Sequence, residues 1–119
     1  SIFSMGKRHI LGLTEAITIS NKDGDSKSYT ARIDTGATAS SIDQTIASEL
    51  KLGPITRIKI IKSASGIGKR PIVVATVKIG DLTVEEEFTL ADRSHMTYPL
   101  LIGQNILKIG KFLIDPLKK

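Results

Sequence analysis

The segment spanning residues 82 to 90 constrains the fold most strongly, because apolar and polar side chains alternate along it. Alternation with a period of two is typical of a β-strand that buries one of its faces. Glu86 is the one polar residue on the apolar side, and Gly80 and Asp81 predict a tight turn before the strand. The apolar positions are Leu82, Val84, Phe88 and Leu90.

Further strands are predicted on both sides of this segment. Two short helices are also predicted, one over residues 42–52 with Asp43 as its N-cap and one over residues 104–108. The chain is therefore expected to be mostly β, as a single domain over residues 1–119. The other predicted strands are one ending at Ile19 and those over residues 28–34, 55–61, 71–79, 98–102 and 111–114.

Composition excludes several classes of protein. The absence of cysteine excludes a disulfide scaffold, a thiolate metal site and a cysteine nucleophile. No apolar stretch approaches the roughly 20 residues that cross a membrane, so we expect no membrane segment and no membrane partner. The first residues lack the features of a secretory signal, and Met5 is a candidate alternative start, in which case the residues before it would be an extension. A cytoplasmic location is expected.

The net charge of +5 raises the question of nucleic-acid binding. However, the lysines and arginines are scattered, and there is no tryptophan and few other aromatic residues on which bases could stack. We therefore expect a basic surface and no nucleic-acid partner. Such a surface would attract acidic ligands.

One candidate for chemistry is the carboxylate of Asp34, which follows an apolar strand and precedes Thr35 and Gly36. Glycine at this point is expected to allow a backbone conformation that other residues avoid. Small residues follow, so the carboxylate would be held by backbone and hydroxyl donors. Taken alone, the same three residues also form an ordinary turn.

Downstream segments make the pattern more specific. A small, glycine-bearing and basic hairpin is predicted over residues 62–70, and a later apolar strand ends in Gly103, Gln104 and Asn105. This order resembles the retropepsin family, which has a strand, Asp-Thr-Gly-Ala, a flap hairpin, two apolar residues, a glycine, a polar pair and a helix. The resemblance implies an all-β (mostly) fold, a retropepsin-like acid-protease half barrel with one or two short helices.

The resemblance further implies an aspartic endopeptidase, a hydrolase of peptide bonds. Because the chain has one Asp-Thr-Gly, the second carboxylate would be Asp34 of a symmetry mate in a homodimer. Thr35 would brace the paired turns, and Gly36 would offer backbone contact to the substrate. No cofactor is expected. The implied substrate-binding residues are Ala37, Thr38, Ser63, Ala64, Ser65, Gly66, Ile67, Gly68, Leu101 and Ile102.

More narrowly, residues 32–38, 91–96 and 98–105 resemble the prokaryotic retropepsin-like group labelled ATP-dependent zinc proteases. Members of that group are often linked with ATP-grasp ligases that add glutamate chains to proteins. An acidic or glutamate-rich substrate is thereby implied. The basic hairpin residues Lys62, Lys69 and Arg70 would suit such a substrate.

Two alternatives to the peptidase remain open. Thr38 and Gln104 occupy positions where retroviral members carry an ion pair, so a polar contact is expected there instead. This loss of charge favours a catalytically silent peptide-binding or assembly module. A metallopeptidase is less favoured, because only His9 and His95 are present and no zinc-binding spacing occurs. No metal site is expected.

Overall fold

The computed structural model describes residues 8–119, so the interpretation of the residues before Met5 lies outside the described residues. Within that range the chain is mostly β with two short helices, as predicted. None of the helices described is long and apolar enough to cross a membrane. The elements are β1 (Ile10–Leu11), β2 (Thr14–Ser20), β3 (Ser26–Ile33), β4 (Ser40–Asp43), α1 (Gln44–Glu49), β5 (Arg57–Ser63), β6 (Gly66–Ile79), β7 (Leu82–Ala91), β8 (Leu100–Ile102), α2 (Gln104–Gly110) and β9 (Leu113–Ile114).

Six strands close into a barrel. Their order is β2-β3-β8-β4-β7-β6, and β2 also pairs with β6, which completes the ring. The fold class predicted from the sequence is confirmed. Closure leaves no free edge among these strands and buries one face of each. The largest fully buried side chains are Phe88, Leu11, Ile17, Ile19, Ile42, Ile79, Leu100, Ile102 and Ile106.

The alternating segment forms β7, and Phe88 on its apolar side is completely buried. Alternation alone would place Thr89 on the solvent side, and this is wrong because only 5% of Thr89 is exposed. Its hydroxyl lies 2.8 Å from that of Ser41 on the neighbouring β4. A buried hydroxyl is tolerated when it is hydrogen-bonded in this way.

The first helix is shorter than predicted. It spans Gln44–Glu49, because the preceding residues pair with β7 and β8 as strand β4. The predicted cap is confirmed: Asp43 Oδ2 accepts a hydrogen bond of 3.2 Å from the backbone N–H of Thr45. A carboxylate at this position satisfies an N–H group that the helix leaves unpaired.

The hairpin of β5 and β6 is more regular than the sequence indicates. The predicted joining stretch of residues 62–70 is mostly paired strand, and only Ala64 and Ser65 lie between the two strands. Gly66 has a φ of 127°, which favours glycine and permits the tight reversal. β5 pairs with β6 alone, so the hairpin projects from the barrel.

The strand predicted over residues 111–114 is reduced to Leu113–Ile114, which pairs in parallel with β1. This two-stranded sheet is not hydrogen-bonded to the barrel strands, but Leu11 is buried in the common core and Ile114 packs against it.

Candidate active site

Asp34 lies immediately beyond the end of β3. Its backbone N–H donates a hydrogen bond of 2.9 Å to the carbonyl oxygen of Ile102 on β8, which prolongs the parallel pairing of the two strands. The half-buried side chain turns back on its own loop, and Oδ1 accepts a 2.9 Å hydrogen bond from the N–H of Gly36. Oδ2 accepts none from residues 8–119. One carboxylate oxygen is thus held while the other is available.

The expected reason for glycine at position 36 is wrong. Gly36 is not among the glycines with positive φ, so its backbone conformation is open to other residues. A Cβ at this position would lie 3.4 Å from Asp34 Oδ1. This is an ordinary van der Waals distance, so the structure has room for a Cβ at this position.

The residues after β8 hold the loop that carries Asp34. The N–H of Gln104 donates a 2.7 Å hydrogen bond to the carbonyl of Ala37, and the N–H of Asn105 donates one of 3.3 Å to the carbonyl of Thr38. The structure therefore joins the two segments on which the family resemblance rests. Most residues of this loop lie outside the strands, so hydrogen bonds from the residues after β8, rather than pairing within a sheet, hold it in place.

Gln104 does not make the contact expected of it. Its side-chain Nε2 donates a 2.8 Å hydrogen bond to the carbonyl of Thr35 instead of contacting the hydroxyl of Thr38. A neutral amide thus ties the helix start to the middle of the loop. The hydroxyl of Thr38 accepts no hydrogen bond from the described residues.

A cleft of about 400 Å³ separates the loop from the β5–β6 hairpin. Several predicted site residues line it, whereas the predicted tip residues 63–68 do not and are exposed. The prediction that Ile102 binds substrate is wrong for its side chain, which is fully buried in the barrel and is not available to a peptide. The residues lining the cleft are Gly36, Ala37, Thr38, Ala39, Ser41, Lys59, Ile61, Arg70, Thr89, Arg93 and Leu101.

The charged residues that line the cleft are all basic: Lys59, Arg70 and Arg93. Of the basic hairpin residues proposed from the sequence, only Arg70 is among them. Lys59 could have been found, because β5 alternates and Lys59 shares a face with Ile61. Arg93 lies in a loop without periodicity, so no sequence pattern marks it.

A neighbouring pocket, which shares Thr38, Ala39 and Lys59 with the cleft, contains Glu87, whose charge is already paired. Arg57 donates two hydrogen bonds of 3.0 Å to the carboxylate of Glu87 at the base of the hairpin. The hydrogen bond from Arg57 is the main cause that lowers the pKa of Glu87 below its ordinary value, against a smaller opposing effect of burial. Glu87 is thus paired with Arg57, and none of the three cations of the cleft forms an ion pair within 4.0 Å among the described residues.

Acidic side chains elsewhere do not assemble into a metal site. Among residues 8–119, no three histidine, aspartate or glutamate side chains are grouped so as to hold a metal ion. The carboxylate of Asp92 is hydrogen-bonded within its own loop, because its Oδ1 accepts hydrogen bonds from the N–H and the hydroxyl of Ser94. The hydroxyl bond is the largest cause of a lowered pKa at Asp92.

Solved structures with similar folds include retroviral and retroviral-like proteases and one protein of unknown function. EIAV protease complexed with the inhibitor HBY-793 is 19% identical, with a TM-score of 0.64 over 86% of this chain and 90% of that one. The retroviral protease-like domain of Ddi1 from Leishmania major is 17% identical, with a TM-score of 0.52 over 83% and 78%. Lpg0085 of Legionella pneumophila, a DUF785 protein of unknown function, is 22% identical, with a TM-score of 0.65 over 95% and 97%.

The fold is therefore that of the retropepsin-like aspartic proteases. No curated protein sequence matches the chain. A family model described as RimB-like, retropepsin-like aspartic endopeptidase RimB, matches residues 45–119. This match covers more than half of the chain, so the chain belongs to the RimB-like family. The matched region contains the hairpin, β8 and α2, and begins after Asp34.

Proposed function

We propose that the chain is an aspartic endopeptidase that hydrolyses peptide bonds as a homodimer. The observation that carries this proposal is the carboxylate of Asp34, which is fixed through Oδ1 by Gly36 and lines a pocket that adjoins the open cleft at Arg93 and Leu101. Thr35 and Gly36 are exposed on the same loop, where a second subunit and a peptide could reach them. Catalytic roles for Asp34, Thr35 and Gly36 are part of the proposal.

A single carboxylate cannot perform this reaction. Among the described residues, no other acidic side chain lines the cleft beside Gly36 or the pocket that contains Asp34. A two-fold axis near Asp34 would supply the second carboxylate, and two such groups about 3 Å apart share one proton. The ionised carboxylate takes a proton from water, whose oxygen attacks the scissile carbonyl carbon. The protonated carboxyl then gives its proton toward the leaving amine as the C–N bond breaks.

The substrate would lie between the loop and the β5–β6 hairpin, which would close over it. Ala37, Thr38 and Leu101 line the floor of this cleft, and Lys59 and Arg70 line its hairpin side. This positive lining supports a preference for acidic or glutamate-rich peptides, because it raises the local concentration of anionic ligands. The tip residues 63–68 would contact the substrate only when the hairpin has closed, and these contacts are part of the proposal.

The narrower resemblance to the group labelled ATP-dependent zinc proteases stays a prediction. So do the cytoplasmic location and the single domain over residues 1–119. Neither nucleotide nor zinc is required by the reaction proposed for Asp34.

The test is Asp34→Asn, which keeps the size of the side chain and removes its acid–base function. Purified protein is incubated with glutamate-rich peptides, and products are identified by mass spectrometry. We expect the wild type to cleave and Asp34→Asn to be inactive, with unchanged circular dichroism and the same dimer by analytical ultracentrifugation. Asp81→Asn, on the exposed β6–β7 turn, is the matched control and should stay active. Full activity of Asp34→Asn would refute the proposal.

A catalytically silent binding or assembly module is the second candidate. It is favoured by the neutral Gln104, which holds the loop through Thr35 where retroviral members use an ion pair. This candidate predicts tight binding of acidic peptides by the wild type, with no product after long incubation. A metallopeptidase would instead lose activity with a chelator, and Asp34→Asn would leave its activity in place.

A further inference from the structure

A separate pocket of about 270 Å³ includes Asp34 in its wall, together with two arginines, Arg32 and Arg93. No other acidic side chain of the described residues lines it. Two cations thus flank the proposed catalytic carboxylate. The remaining lining residues are Met96, Thr97, Tyr98 and Leu101.

Strand geometry explains why Arg32 is there. Ala31 and Ile33 on β3 point into the barrel and are buried, so the alternate residue Arg32 points outward and is exposed. Asp34 follows at the next position of the same parity, which places it on the same side of the strand as Arg32. Leu101, the partner of Arg32 on β8, lines the same pocket.

Arg93 is fixed by its surroundings. Its backbone N–H donates a 2.8 Å hydrogen bond to Asp43 Oδ1, and its Nε donates one of 3.1 Å to the carbonyl of Tyr98. These contacts orient the guanidinium group while its two terminal NH₂ groups donate to no described residue. A guanidinium with both terminal groups available is suited to bind a carboxylate through two parallel hydrogen bonds.

The two arginines lack an acidic partner of their own. Neither forms an ion pair within 4.0 Å in the part of the chain that the structure describes. Asp43, whose charge acts on Arg93, already accepts hydrogen bonds from the backbone N–H groups of Arg93 and Thr45. Burial lowers the pKa of the Arg93 guanidinium, Asp43 opposes this, and the charge of Arg32 lowers the pKa further. The pocket therefore holds two neighbouring positive charges that repel each other.

We propose that Arg32 and Arg93 form a subsite that binds a carboxylate of the substrate next to the scissile bond. The subsite is adjacent to that bond because Asp34, which would act on it, lines the same pocket. This inference rests on the proposed function and adds to it the residues that select the substrate. The carboxylate is either the side chain of an acidic residue or the free end of a peptide chain.

The test compares peptides that differ in one group. One pair carries glutamate or glutamine beside the cleaved bond, and a second pair ends in a free carboxylate or in an amide. We expect the wild type to cleave the glutamate peptide with a kcat/KM roughly tenfold or more above that of the glutamine peptide, as a charged hydrogen bond allows. A preference confined to the second pair would assign the subsite to the end of a chain.

Variants identify the residues responsible. Arg32→Gln and Arg93→Gln should each reduce the discrimination between glutamate and glutamine, and Arg93→Lys should restore part of it. Lys78→Gln, exposed on β6 and absent from both pockets, removes the same charge and should leave the discrimination intact. Since Arg32 is exposed, its variant is expected to fold even where an Arg93 variant does not.

Binding to Asp34→Asn separates this inference from the proposed function. Fluorescence anisotropy with labelled peptides should show the same preference for glutamate in this variant without any cleavage. Equal cleavage and equal binding of both pairs by the wild type would overturn the subsite and leave the peptidase standing. Preferential binding without cleavage by the wild type would overturn the peptidase and leave the subsite standing.

Discussion

The hydroxyl of Ser40 donates a hydrogen bond of 2.7 Å to the side-chain oxygen of Asn105, which lies in the first turn of α2. Ser40 is fully buried, and its oxygen also accepts a 2.9 Å hydrogen bond from the N–H of Gly103. The amide nitrogen of Asn105 donates in turn to the carbonyl of Glu87 at 3.0 Å and to Glu86 Oε1 at 3.2 Å. A chain of hydrogen bonds therefore connects the end of the Asp34 loop with β7.

The variant Asn105→Ala should destabilise the protein. It removes three side-chain hydrogen bonds and leaves the buried hydroxyl of Ser40 without its acceptor, so we expect a loss of about 1–3 kcal/mol in the free energy of unfolding. Urea unfolding followed by circular dichroism measures this loss. Lys108→Ala, exposed on the same helix, should change stability by less than about 0.5 kcal/mol. Equal stability of the two variants would show that the network contributes nothing.

The role of Asn105 shows where sequence reasoning stops. Its position two residues after Gly103 could be matched to a family, but its hydrogen-bond partners could not be predicted. A period-two pattern predicts only which face of the strand a residue occupies. It therefore gave no reason for the polar Glu86 on the apolar face of β7. Its amide partner comes from another element, which only the folded chain brings near.

Local features were predicted well, and features made by tertiary pairing were not. The cap at Asp43 and the strand β7 follow from short-range chemistry and were found. Strand β4 was missed and its last two residues were predicted as the start of a helix, because a four-residue segment becomes a strand only by pairing with β7 and β8. Arg93 lies in a loop that no sequence pattern marks, and its place in two pockets depends on contacts with Asp43 and Tyr98.

Substitution by alanine should destabilise the protein at Gly103 and leave its stability nearly unchanged at Gly36. A Cβ at Gly103 would overlap the backbone carbonyls of Ala37 and Ala39, which cannot move without disturbing the loop. Gly103→Ala should therefore lower the free energy of unfolding by about 1–3 kcal/mol or more, as overpacking does. Gly36→Ala meets only Asp34 Oδ1 at 3.4 Å and should fold with a stability within about 0.5 kcal/mol of the wild type.

Thermal and urea unfolding of these two variants provide the measurement, and the wild type is the reference. A Gly36→Ala protein as unstable as Gly103→Ala would mean that the backbone at position 36 needs glycine after all. A Gly103→Ala protein as stable as the wild type would mean that the loop yields easily. It would then not be held firmly by the residues after β8.

A hydrogen-bonded ion pair fastens the C-terminal end of the described chain to β2. Lys118 Nζ donates to Glu15 Oε2 at 2.8 Å and to the carbonyl of Ile10 at 2.9 Å, and Glu15 Oε2 also accepts from the N–H of Gly12 at 2.6 Å. Burial by itself raises the pKa of Glu15. The hydrogen bonds from Lys118 and Gly12 and the charge of Lys118 together outweigh it, so the pKa falls below its usual 4.5.

The pH dependence of stability follows from the direction of this shift. Because the pKa of Glu15 is lower in the folded state, its contribution is present above about pH 4.5 and is lost as the pH falls through the lower folded value. We expect Glu15→Gln to cost about 0.5–1 kcal/mol at neutral pH and progressively less in acid, where the two proteins should converge. Urea unfolding between neutral and acidic pH measures the difference, with Glu85→Gln, exposed on β7, as the control. A difference between Glu15→Gln and wild type that is constant at every pH would show that the ion pair does not cause it.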